Sequence, residues 1–434
     1  MNVVLTKTET GRAVESIFTA SRDRLPGTSK VIDQRRQAFE AYERAGLPHR
    51  RIEEWKYTDL RVLMREVKPL AAKPDAAALK RAKAALKPVA IAGAAKLVLV
   101  DGVFAPELSD KAPAGVSIGT LREALEKGAC DLLETDVTDA MISLNAALAT
   151  DGVMVGVADG AVLAQPLQIV HVATASSASA FTRSQVKIGK GARVTLVENF
   201  VAADGAKAYQ AHDAVLLSIG DGAELTQVRL MADGTDAVNI TSAVIAVGAK
   251  VKFNLFNMTA GGAVSRFQGF VALAGEGSEI NVNGVNLLKG TQHGDTTLVV
   301  DHAVPHCTSR EVFRAVIDDR AHSVFQGRII VRPHAQKTDG KMMTRALLLS
   351  DEAEADNKPE LEIFADDVTC GHGATAGALD ESLLFYLRAR GLPEKAAQAL
   401  LIQAFVGEAI EGISDDNLRE AVMTAAERWL EARA

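Results

Sequence analysis

The sequence predicts a mainly β protein, with a parallel β-helix-like core between N-terminal and C-terminal helical subdomains. Three observations carry this. From about Val153 to Ile363 apolar residues recur with a period of two, in short runs of Val, Ile, Thr and Leu broken by Gly and Asp. Within that stretch a short glycine-containing unit repeats at a nearly constant interval. Aromatic residues make up only 5% of the chain, which suits a narrow interior of small and β-branched side chains.

The repeating unit is Gly-small-charged-aliphatic, a turn followed by the first residues of a strand. Gly189-Lys190-Gly191-Ala192-Arg193-Val194 returns as Gly220-Asp221-Gly222-Ala223-Glu224-Leu225, as Val247-Gly248-Ala249-Lys250-Val251 and as Gly275-Glu276-Gly277-Ser278-Glu279-Ile280. Counted from the glycine before the small residue (Gly191, Gly222, Gly248, Gly277), the intervals are 31, 26 and 29 residues. That length fits one coil of a β-helix, in which stacked coils lie about 4.8 Å apart and only the stack buries a continuous inward face. A β-sandwich with glycine turns is the competing architecture.

The flanks read as helix. Lys30 to Ala45 is periodic and charged and stops at Gly46, with Pro48 beyond. Pro74 to Leu86 is a short Ala/Lys-rich helix, and Leu97-Val98-Leu99-Val100 is a strand that turns at Asp101-Gly102. Thr120–Lys127 and Val137–Ala149 are further helices. After Gly377 come Glu381–Arg390, closed by Gly391, a helix opened by Pro393 and running to about Gly412, and Asp415–Ala434. Leu400, Leu401, Ala404, Phe405, Glu408 and Ala409 give the second of these an apolar stripe. The division is therefore 1–150, mostly helical; 151–365, β-helix; and 366–434, a turn bearing the motif described below, then helices.

Bulk properties exclude several function classes. A chain of 434 residues with 48% hydrophobic and 24% charged residues is an ordinary soluble composition. A formal net charge of −7 recommends neither nucleic acid nor an anionic membrane as partner. Met1–Ala13 lacks the apolar stretch of a signal peptide, and the apolar run near 90–100 is interrupted by Lys96 and too short to span a bilayer. Cys130, Cys307 and Cys370 are odd in number and far apart, which argues for a reducing, cytoplasmic setting.

The segment richest in chemistry is Asp366-Asp367-Val368-Thr369-Cys370-Gly371-His372-Gly373-Ala374-Thr375-Ala376-Gly377. In extended backbone, residues two apart project to the same side, so Cys370 and His372 can offer sulfur and nitrogen to one point. Gly371 and Gly373 let another backbone or a bulky inorganic group come close. Thiolate and imidazole suit iron, zinc or an iron–sulfur cluster. Two donors do not close a four-ligand site, so the motif is half a site, with Thr369, Asp366 and Asp367 shaping its turn. A structural reading also exists, with Cys370 as a small buried hydrophobe and His372 as an ordinary hydrogen-bonding group.

The run Leu361 to Thr375, followed by Leu384-Phe385-Tyr386-Leu387-Arg388-Ala389-Arg390-Gly391, resembles the C-terminal signature of the SufB/SufD family of SUF iron–sulfur assembly scaffold subunits. Phe325-Gln326-Gly327, Lys337-Thr338-Asp339, Leu347-Leu348-Leu349-Ser350 and Arg50 to Leu60 fit the same pattern. The Cys-x-His-Gly-Ala-Thr string points to the SufD branch, whereas Lys341–Arg345 departs from the family's usual Gln and Asn. The resemblance spans about residue 50 to the C-terminus. It implies a β-helical core, a SufB-like paralogue as partner and a SufC-like ATPase docked on the C-terminal helices. It also implies that His372, and more weakly Cys370, face the paralogue where a nascent cluster is assembled. That cluster is transient and the isolated chain keeps no cofactor. Self-pairing of the isolated chain and a reduced flavin as electron source stay open.

A second constellation, His293, His302, His306 and Cys307, supports a rival reading as a metal-dependent β-helix acyltransferase, hydrolase or lyase. His302 and His306 have metal-pair spacing, but Pro305 argues against a helix there, so His302 ends a strand and His306 lies in a turn. Trp55 and Tyr57, beside Arg50, Arg51 and Lys56, either stack a ligand or anchor the N-terminal helices. No phosphate loop, dinucleotide fingerprint, Cys-x-x-Cys, His-Glu-x-x-His or Gly-x-Ser-x-Gly occurs, so the chain has no visible means of hydrolysing ATP.

Overall fold

A computed structural model of the chain describes residues 9–64, 68–413 and 415–432. The first eight residues of Met1–Ala13 and the last two of the final expected helix lie outside them. The β region is a flattened parallel solenoid whose successive strands alternate between two sheets, one of ten and one of nine strands among the described residues. Each strand therefore pairs with the strand two further along. Val238–Val247, for example, lies in parallel register between Gln210–Ile219 and Val264–Leu273 over ten residues. Alternation does the rest: Leu196, Phe200, Leu225 and Phe253 from one sheet meet Val186, Val215, Ile245 and Val271 from the other in one buried core. Ala95–Val100 and Val116–Thr120 extend the sheets at the N-terminal end.

The coil turn explains the repeat and corrects its phase. Gly191, Gly222 and Gly277 have φ of 63°, 67° and 70°, the left-handed region where glycine costs least. In the coil of Gly248 that position belongs to Lys250, at φ 53°. Gly248 aligns instead with Gly189 and Gly220, since the three amides donate to Ile219, Val157 and Ile188 one coil back. The sequence repeat slipped by two residues there because Lys250 took over a glycine's conformation. His306 and Lys337, at φ 62° and 61°, continue the same turn position, their amides donating to the carbonyls of Gln336 and Asp367.

The interior also differs from a lining of small residues. Phe200, Phe253, Phe267, Phe313 and Phe325 sit in it, and so does a fully buried ion pair between Arg229 and Glu198. A flattened coil of two long strands is wide enough for rings to interleave, which a count of aromatics does not reveal.

Helices cover both flanks. Ser29–Ala45 ends at Gly46, φ 71°, and packs with Ala140–Leu148 around Phe39, Tyr42, Trp55 and Leu144. Leu121–Glu126 and Ala76–Ala85 start on side-chain caps from Thr120 and Asp75. The C-terminal pair, Glu394–Ile410 and Asp416–Glu431, lies on the outer face of the ten-stranded sheet against Val197, Phe256, Leu287 and Val316. The buried stripe of the first is Ile402, Val406, Ala409 and Ile410, not the one centred on Leu400 and Leu401. That helix is apolar on more than one side, so periodicity did not choose the packed face. Leu401, Ala404, Phe405 and Glu408 instead line a groove of about 500 Å³ with Leu379 and Leu383 of the neighbouring segment. Among the described residues no helix is long and apolar enough to cross a membrane.

Candidate functional site at the open end of the solenoid

The Cys/His motif is a strand, not a turn: Thr369–Gly377 is the last strand of the ten-stranded sheet and pairs in parallel with Asp339–Leu348. Glu354–Ile363 is the corresponding last strand of the other sheet, paired with His322–Val331. Each thus carries a row of backbone N–H and C=O groups that face no further strand in the sheet order.

Register sets what the end presents. Cys370 lies opposite Gly340, which lies opposite Ser309; His372 lies opposite Met342, which lies opposite Glu311. Met342 and Ser309 are buried in the interior. Cys370 and His372 therefore occupy two successive inward positions of the terminal rung, as the spacing of two requires. Cys370 is half-buried and packs on the core, whereas His372 is exposed because no coil follows to cover it. Burial, with smaller contributions from Asp339 and Glu311, raises the Cys370 thiol above its ordinary value, so it rests as the thiol.

Supporting contacts hold the rung. Lys337 and Asp367 form an ion pair across the last turn, the Asp367 amide donates to Gln336 Oε1 at 2.9 Å, and the Thr369 amide donates to the Thr338 carbonyl at 2.9 Å. Asp367 thus shapes the entry to the strand. At the rim Arg310 binds Asp339 at 2.6 Å. Below the terminal rung lies a buried polar group: His302 Nε2 is 3.0 Å from Ser309 Oγ, and burial pushes the Glu311 carboxyl up to about 8.

Gly371 has no packing reason of its own, since a Cβ there would meet nothing within 4 Å. The position is open to the outside of the molecule. Gly371→Leu is expected to leave the thermal unfolding of the isolated chain within about 0.5 kcal/mol of wild type, as exposed substitutions do, while weakening capture of any chain that docks on this edge. Calorimetry and a pull-down check the two halves.

The second constellation does not assemble. His293 is buried on the outer row, its Nε2 2.9 Å from Thr58 Oγ1 and its ring edge-on to His322. His302 faces the interior and ends its strand, His306 is a turn residue, and Cys307 is buried with its thiol near the Gly275 carbonyl. These residues form no group able to hold a metal among the described residues. Trp55 anchors: it is 1% exposed, donates from Nε1 to Asp139 at 3.0 Å and carries the Arg266 guanidinium 3.7 Å over its ring. Sequence reasoning passed over His171, Glu198 and Asp213, which converge inside the solenoid. The available signal was ionisable residues in the inward phase of strands otherwise filled by Val, Leu and Phe.

Known proteins match along nearly the whole chain. The family model described as "SUF system FeS cluster assembly, SufBD core domain" matches residues 171–405, and the "SufBD protein N-terminal region" matches 13–169. The chain belongs to the SufBD family. The iron-sulfur cluster assembly protein SufD of Escherichia coli (strain K12) is 30% identical over 91% of this chain and 92% of its own length. An iron-sulfur cluster assembly SufBD family protein of Synechocystis sp. is 28% identical over 89% and 88%, and SufD of Bacillus subtilis is 28% identical over 66% of each. The family resemblance in the motif segments thus extends through both the N-terminal region and the solenoid. It makes this chain a SufD homologue among iron–sulfur assembly proteins.

Proposed function

We propose that this chain is a non-catalytic subunit of an iron–sulfur assembly scaffold, pairing with a SufB-like paralogue through its open solenoid end. His372 there supplies a donor to the nascent cluster, which is cargo and not a resident group, and Cys370 is the second candidate donor. The observation that carries the reading is an exposed imidazole on the inward row of a terminal rung whose two edge strands face no further strand. A parallel strand from a partner added to either edge would satisfy its backbone groups and close the half-site.

A SufC-like ATPase is proposed to dock on the C-terminal helices. The helix Glu381–Ala389 has no buried residue and exposes Leu383, Phe385 and Tyr386 at 52, 72 and 52%. It borders the groove lined by Leu379, Leu401 and Phe405. Apolar exposure of that kind marks an interaction face. Nucleotide-driven movement of the ATPase subunits would then alter the geometry at the paired solenoid ends.

Co-expression with the SufB-like and SufC-like partners, anaerobic purification and absorption spectroscopy test this. His372→Ala is expected to abolish cluster formation while leaving the complex assembled, and Cys370→Ser to reduce it less. Unchanged cluster yield in His372→Ala would overturn the assignment.

A further inference from the structure

We propose that the solenoid interior contains a binding site for a divalent transition-metal ion, formed by His171, Glu198 and Asp213, away from the terminal rung. These three side chains each offer one ligand atom, and the atoms all lie within 4.8 Å of one another. They come from strands of both sheets, Leu167–Ala173, Arg193–Ala202 and Gln210–Ile219, so the site exists only once the coils have stacked.

Each donor is held by a partner. The His171 ring stacks on Phe200 with centroids 4.4 Å apart. Glu198 Oε2 accepts from Gln227 Nε2 at 2.5 Å and Arg229 Nη1 at 2.6 Å, which fixes the carboxylate. Asp213 Oδ1 accepts from Thr182 Oγ1 at 2.6 Å, whereas its Oδ2 is buried without any hydrogen-bond partner. Orientation of ligands by such outer contacts is the usual support of a metal centre.

Two of the three donors border open space: His171 and Asp213, with Thr182 and Phe200, line a cavity of about 40 Å³, larger than the ~15 Å³ one water needs. Arg229 pairs directly with Glu198, and it and Arg183 act on Asp213 only through space, so Asp213 Oδ2 is left without a direct partner. One imidazole and two carboxylates, with water completing the shell, suit Fe²⁺, Zn²⁺ or Mn²⁺ better than Ca²⁺ or Mg²⁺.

The test uses the full-length chain carrying His372→Ala and Cys370→Ser, so that the terminal donors cannot contribute and the scaffold reading is not at stake. After chelator treatment the chain is titrated with Co²⁺, followed by its visible spectrum and by calorimetry. One equivalent is expected to bind. Asp213→Asn, which keeps the Thr182 hydrogen bond, and His171→Gln are each expected to weaken it on the order of 100-fold, with the metal-free chain still folded by circular dichroism. A crystal grown with Zn²⁺ gives a second readout, an anomalous peak between the three side chains. Absence of stoichiometric uptake, uptake unaffected by both substitutions, or a peak elsewhere would overturn the proposal.

Discussion

Arg266→Ala is expected to lower the unfolding free energy by about 3–5 kcal/mol, the cost of leaving one member of a buried ion pair unpaired. Both side chains of the Arg266–Asp295 pair are fully buried. The guanidinium also donates from Nη2 to the Glu54 carbonyl at 2.8 Å and from Nε to Gln268 Oε1 at 3.3 Å, while stacking on Trp55. Asp295 is itself held by the Thr58 hydroxyl. Arg266 thus ties residues 54–58, ahead of the solenoid, to two of its strands. Its loss leaves a buried carboxylate without its cation and Trp55 without its upper face. Urea unfolding of the isolated chain measures the effect. A shift below about 1 kcal/mol would mean that water reaches Asp295 and the tie is dispensable.

Glu311→Gln is expected to stabilise the chain in alkaline solution and to flatten its pH profile. Burial raises the folded carboxyl to about 8 from 4.5, against a weaker opposing pull from Ser309 and Arg310. A raised acid contributes stability fully below its unfolded value and loses it as pH climbs to the folded one. At about 1.36 kcal/mol per unit the loss is on the order of 5 kcal/mol between pH 4.5 and 8. Other buried groups act lower: Asp213 titrates near 6, and the lowered imidazoles of His171, His293 and His302 act from about 4 up to their unfolded 6.5. Asp233 is buried and raised by burial as well, so Glu311 is read from the difference between two profiles. From pH 6.5 to 8 the melting temperature of wild type is expected to fall more steeply than that of Glu311→Gln. Parallel profiles would show that Glu311 stays ionised.

Strand periodicity and the coil interval were legible because a two-residue alternation and a left-handed turn each demand particular residue types. Where Lys250 assumed the glycine's conformation, the local rule broke and the repeat slipped. That Cys370 and His372 share one side of a strand was legible from their spacing of two. His171, Glu198 and Asp213 were not, because they are 27 and 15 residues apart in sequence and meet only when coils from opposite sheets face each other. The packed side of Glu394–Ile410 was equally hidden, since a helix apolar on more than one side has no preferred face until a sheet is set against it.

Alone, the order of residues decided the solenoid, its helical flanks and the presence of two soft donors on one side of a strand. Tertiary structure decided that this strand is the last, which leaves His372 exposed while Met342, one rung below, is buried. The physical reason is that exposure depends on whether another coil follows. That is a property of stacking, which no local pattern encodes.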